Sequence, residues 1–179
     1  MSKGDTVEEK RAALIRKYRK LKIDKKEREG DTITLYLSRG NETFIMRVLL
    51  NQATIGIAYV RDLQALIKEA EASKGILVGN GKYTYSAKNS APKLGVELIP
   101  PTLPIFDIFD HKLVPKAELA SGEEKEKLVE AYHAQPFQFP WIQATDPVSI
   151  ILGAESGDII KITAESETAG IAESYRYVV

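Results

Sequence analysis

Apolar residues recur along the chain with two different periods. Val60, Leu63, Leu66, Ile67 and Ala70 fall on one face of a predicted helix. Leu14, Tyr18 and Leu21 keep the same spacing behind Thr6-x-x-Glu9, a capping box in which a hydroxyl and a carboxylate satisfy each other's backbone donors. Basic residues lie on the opposite side, so residues 1–28 are expected to carry a basic amphipathic helix. Alternating runs at Thr32 to Ser38 and Glu42 to Leu50, separated by Arg39-Gly40-Asn41, predict a tight hairpin. Gly75 to Gly79 and Val96 to Ile99 read as short buried strands, the second stopped by Pro100 and Pro101. Between them Tyr85 to Gly95 is helix-like, but Pro92 limits it to a short or kinked element.

Pro100 to Pro104 reads as a stiff extended connection, and Ile105 to Phe109 as an apolar strand entering a second region. There Ser121-x-x-Glu124 is a further capping box, opening a helix through Leu128, Val129 and Tyr132 that Gln135 to Pro140 breaks. Asp146, Pro147 and Gly153 punctuate a short helix as cap, first residue and stop. Two alternating segments, beginning at Asp158 and ending at Val179, flank a polar connection closed by Gly170, which predicts paired strands around a specific loop. The fold class is α+β, with an N-terminal domain at 1–104 and a small mixed domain at 105–179.

Composition narrows the chemistry. The 179 residues include no Cys, which excludes disulfides, thiolate nucleophiles and cysteine-built zinc sites. His111 and His133 are too isolated for a histidine metal centre, and no cofactor is expected. No apolar run approaches the ~20 residues of a membrane span, and the N-terminus has no apolar signal core, so a soluble intracellular chain is expected. Net charge is +0, but ten Lys or Arg face two acids between Lys10 and Arg28, whereas twelve acids face six bases from Asp110 onward. Arg16, Lys17, Arg19, Lys20, Lys22, Lys25, Lys26 and Arg28 are therefore candidate phosphate contacts, set against the alternative of a solvated helix face. The tail pairs no nucleophile with a base, which suggests a docking element.

The words FPWIQATDPV, LG, GDIIKI, SETAG and YRYVV, with HKLVPK upstream, resemble the assembly domain of a small archaeal RNA polymerase subunit. In its eukaryotic counterpart, the fifth subunit common to the nuclear polymerases, that domain is the C-terminal one. The resemblance implies a non-catalytic subunit docked on the largest polymerase subunit, beside other polymerase subunits. Pro140, Ile142, Asp146, Pro147, Ser166, Glu167, Thr168, Ala169, Gly170, Tyr175 and Arg176 would be the partner-binding positions. Several basic positions usual in that family are replaced here, by Trp141, Ile150, Glu155 with Ser156, Ala164, and Ile171 with Ala172.

The order helix, two strands, helix, strand, helix, strand resembles the restriction-endonuclease-like fold. Val60 to Ile99 is similar to the closing half of the Mrr group, and to the jaw domain of the eukaryotic subunit. That second resemblance implies a place in the lower jaw, with non-specific contact to downstream DNA. Nuclease members of the group need an acid on the first hairpin strand, and on the second an acid or amide two positions before a Lys. Those places fall on Thr34, Arg47 and Leu49, which provide neither metal ligand nor catalytic Lys. An inactive nuclease homologue and a free regulator mimicking the subunit are the competing expectations.

Overall fold

The computed structural model describes residues 6–166 and 170–179. They form two compact units, Met1–Phe106 and Asp107–Val179.

The first unit opens with α1 (Val7–Tyr18), where the predicted capping box is complete. Thr6 Oγ1 accepts from Glu9 N at 3.3 Å, and Glu9 Oε2 accepts from Thr6 N at 3.0 Å. The helix ends ten residues earlier than the basic block does, and Lys22–Glu29 is the strand β1. This corrects the expectation of one basic helix across residues 1–28. After β1 come β2 (Thr32–Arg39) and β3 (Glu42–Leu49), joined at Gly40-Asn41, where Gly40 takes φ +60°. Next are β4 (Thr54–Ile55), α2 (Ile57–Glu69), β5 (Lys74–Gly79), β6 (Lys82–Tyr83), α3 (Tyr85–Ser90) and β7 (Val96–Ile99). Pro92 ends the α3 region as expected: α3 stops at Ser90 and a 3-10 turn covers Pro92–Leu94.

The main sheet has the order β1-β2-β3-β5-β7, antiparallel through β3 and parallel beyond it. Strands β3 and β5 are buried on both sides, which explains their nearly continuous apolar runs. The pairing puts Ile33, Leu35 and Leu37 of β2 beside Val48, Met46 and Phe44 of β3, on the face covered by α1. The other face carries Ile45, Leu49, Leu77 and Val96 under Val60 and Leu63 of α2. β4 and β6 form a separate two-stranded sheet. Gly81 permits it, since a Cβ there would lie 2.2 Å from the carbonyl oxygen of Gln52.

Two buried arginines hold α1 to the rest of this unit. Arg11 donates to the carbonyl of Leu103 (2.8 Å), to Asn80 Oδ1 (2.9 Å) and to the carbonyl of Pro101. Leu103 N also donates to Pro100 O at 3.1 Å, so the proline-rich stretch is a turn held against α1 rather than an extended connection. The second, Arg19, follows the last turn of α1 and reaches Glu97 of β7.

The second unit contains β8 (Lys116–Leu119), α4 (Gly122–Tyr132), β9 (Trp141–Ile142), α5 (Pro147–Leu152), β10 (Ile159–Ser166) and β11 (Gly170–Val178). Ile105 to Phe109 is not a strand; bends lead into a 3-10 turn at Ile108–Asp110 that Asp107 caps. The apolar run finds no strand to pair with, and Phe106 is exposed. The sheet order is β8-β10-β11-β9, with β11 and β9 parallel. Leu128, Phe139 and Ile159 form a small core with Tyr175 and Tyr177, while Ile151, Leu152, Ile160 and Val178 are also buried. Both predicted caps are present: Ser121 with Glu124 on α4, and Asp146 Oδ1 accepting from Val148 N at 2.8 Å on α5.

Candidate functional site

The three positions that would have to carry nuclease chemistry converge without the chemistry. Thr34 and Arg47 are direct partners across β2 and β3, and Leu49 pairs with Thr32 and is fully buried. Arg47 has Asp62 of α2 at 3.9 Å, too far for a hydrogen bond, and its Nε and Nη1 are buried without a hydrogen-bond partner. A cation therefore stands where a divalent metal would need a carboxylate. Among the described residues no group of three or more His, Cys, Asp or Glu is arranged to hold a metal ion.

The basic block does not form one patch. Arg19, expected among the phosphate contacts, is buried and meets Glu97 in a two-point ion pair of 2.8 and 2.6 Å. Burial pushes the Glu97 carboxyl up, but the Arg19 fork and Lys74 more than reverse this and hold it below its ordinary value. On β1, Lys22 and Lys25 pair with Ser38 and Tyr36, whereas Lys26 and Arg28 pair with Leu35 and Ile33 on the α1 side. Lys25 is tied to Glu27 at 2.6 Å, and Lys17 lies over the Tyr18 ring. Arg16 and Lys26 both line a groove between α1 and the sheet.

In the C-terminal unit several expected docking residues have local structural work. Asp146 caps α5 and Pro147 begins it. Pro140 O accepts from Tyr177 N, and Val179 N donates to Ile142 O, both at 2.9 Å, which seats β9 against β11. Tyr175 packs edge-on against Phe139 and Tyr132, with ring centroids 6.4 and 6.2 Å away. Arg176 donates to the Tyr175 carbonyl at 3.4 Å. Gly170 opens β11 at φ +69°, and Ser166 closes β10. Glu167, Thr168 and Ala169 lie outside the described residues.

What sequence reasoning did not select is an exposed apolar set in this unit. Ile171 is 72% exposed, Trp141 68%, Phe137 59% and Tyr132 58%. Trp141 Nε1 donates to Phe137 O at 3.0 Å, which fixes the indole beside Phe137. Of the three aromatic residues Phe137, Phe139 and Trp141, only Phe139 is buried, and no spacing in the sequence separates it from the other two.

Residues 106–178 match the family model described as RNA polymerase Rpb5, C-terminal domain. DNA-directed RNA polymerase subunit Rpo5 of Sulfolobus acidocaldarius is 51% identical over 74 residues, which are 41% of this chain and 88% of that protein. The chain belongs to the Rpb5 family. The Rpo5 subunit of Thermococcus kodakarensis is 49% identical over 74 residues, covering 41% of this chain and 90% of the relative. The likeness extends into the N-terminal unit in a nematode member of the Rpb5 family. Subunit RPABC1 of RNA polymerases I, II and III from Caenorhabditis briggsae is 33% identical over 161 residues, 87% of this chain and 76% of that protein. Residues 10–102, more than half of the chain, match the Mrr model described as restriction endonuclease. The N-terminal unit therefore belongs to that family in fold, joined here to an Rpb5 C-terminal domain.

Proposed function

We propose that the chain is a non-catalytic subunit of a multisubunit DNA-directed RNA polymerase. Its C-terminal unit docks on the largest subunit, and its N-terminal unit forms part of the lower jaw beside downstream DNA. The observation that carries this reading is coverage: the C-terminal unit spans 88% and 90% of two polymerase subunits at 51% and 49% identity. The exposed Trp141, Phe137 and Ile171 support docking, since large apolar side chains held at a surface mark interaction sites. Neither cofactor nor small-molecule substrate takes part. The working location is the cytoplasm, or the nucleus in a eukaryotic source.

DNA contact by the jaw is weak and indifferent to sequence. Lys20, Lys22 and Arg28 remain exposed for phosphates, but Glu27 holds Lys25, and Asp24 and Glu29 add further acidic charge on β1. The affinity should fall steeply with salt, and charge reversal at Lys22 and Arg28 should remove it. Removing residues 1–28 is not a usable test, because Leu14 and Ile15 of α1 are core residues.

The reading is tested by tagging the chain at its own expression level and measuring the recovered partners. Large polymerase subunits should return in roughly equal amounts. A free regulator would recover them substoichiometrically, and an inactive nuclease homologue not at all. Purified chain with magnesium or manganese should leave DNA intact; cleavage abolished by chelation would overturn the assignment.

A further inference from the structure

The helix face Glu9, Ala12, Ala13 and Arg16 follows the i, i+3, i+4, i+7 spacing and lines one side of a groove of about 140 Å³. Its floor is Ile33, Leu35 and Val48, and its outer wall is Ile23 with Lys26 on β1. Ala12 and Ala13 are small, so the helix leaves this space open where a longer side chain would fill it. Ile23 is the one apolar residue of Lys22–Glu29 and is 43% exposed. The rest of that strand follows the usual protection of a free sheet edge, which is to cover it with charge. Ile23 does not serve that protection; it is an apolar wall turned to the groove.

We propose that this groove receives a bulky apolar side chain of an acidic segment from a partner polypeptide. This goes beyond the polymerase assignment and does not depend on it. A cavity of about 150 Å³ accommodates benzene, so the space suits one aromatic or large aliphatic side chain. Arg16 and Lys26 flank it, and Arg28 extends the positive charge along the same face of β1. Glu9 also lines the groove, but its Oε2 accepts from Thr6 N at 3.0 Å as part of the α1 cap, so the two cations outnumber it and can meet carboxylates of the segment. A phosphate backbone is a poorer occupant, because pressing a charged phosphate against Ile33, Leu35 and Ile23 costs its hydration without an offsetting contact.

The test uses the full chain, isotope-labelled for amide NMR, with three short acetylated peptides. One has leucine flanked by aspartates, one has serine in place of the leucine, and one has leucine flanked by lysines. Only the first should bind, shifting the amides of Ala13, Arg16, Ile23 and Lys26. Ala13→Leu fills the groove and should abolish binding without lowering the melting temperature. Arg16→Glu and Lys26→Glu should each weaken it about tenfold, the loss of one charge-assisted contact. Equal binding of the serine peptide, unchanged affinity in folded variants, no shifts with any peptide, or tighter mapping of a DNA duplex to the same amides would each overturn the proposal.

Discussion

The two units dispose of ionic groups in opposite ways. The first takes ionic groups inside: Arg11, Arg19 and Glu8 are buried, and Glu97 is tied to Arg19 and Lys74. Its two-faced sheet is covered by α1 on one side and α2 on the other, so the interior is large enough to hold such groups. In the second unit Ser149 is the sole buried polar residue among those described, while Trp141, Phe137, Tyr132 and Ile171 stand at the surface. A 73-residue body cannot cover all its aromatic residues. The difference separates a unit that buries ionic groups in ion pairs and hydrogen bonds from one whose interior is almost wholly apolar.

The sharpest way to break this comparison is to remove one internal ion-pair partner. Arg19→Met leaves the Glu97 carboxylate buried with only Lys74, and should cost the N-terminal unit about 3 kcal/mol. Hydrogen exchange of the β3 and β5 amides should accelerate accordingly, while Trp141 fluorescence, which reports only the second unit, keeps its midpoint. Parallel losses in both units would contradict independent interiors. Acid should act on the same site. Because the folded Glu97 carboxyl lies below its ordinary value, its contribution is present above the unfolded glutamate range and is lost as pH falls through the folded value. Glu97→Gln should flatten that part of the stability profile.

A smaller effect is expected in the second unit. Asp146→Ala removes the cap on α5 and should cost about 1 kcal/mol, read from the Trp141 unfolding midpoint. An unmoved midpoint would deny the cap a stabilising role. Smallest is Arg47→Met, which exchanges buried unbonded N–H groups for apolar volume. It should leave the N-terminal melting temperature unchanged or slightly raised, whereas a clear drop would show that Arg47 contributes through Asp62.

Much of the fold was legible because its punctuation is local. Thr6 with Glu9, Ser121 with Glu124, and Asp146 with Pro147 and Gly153 each lie within one or two helical turns, and each forms as read. The Gly40-Asn41 hairpin and the α2 face from Val60 to Ile67 were legible for the same reason, though Ala70, expected on that face, is the exposed C-cap beyond the helix. β1 was not, because every side chain in Lys22–Glu29 is exposed and the strand is defined by backbone pairing with β2. Arg19 read as a candidate phosphate contact because its partner Glu97 lies 78 residues away, and the buried role of Arg11 was hidden for the same reason, its partner Leu103 lying 92 residues away. The docking words identified the second unit, yet Asp146, Pro147 and Tyr175 turned out to brace it. Trp141 and Ile171, which depart from the family pattern, proved to be among its exposed apolar residues.

The most direct test of the central claim is a comparison of polymerase recovery by the tagged chain and by its Trp141→Ser, Ile171→Ser variant at native expression level. The account predicts roughly equal amounts of chain and large polymerase subunits for the unmodified protein. The variant should lose them while the purified chain keeps its melting temperature. Undiminished recovery by the folded variant, or no polymerase with the unmodified chain, would contradict it.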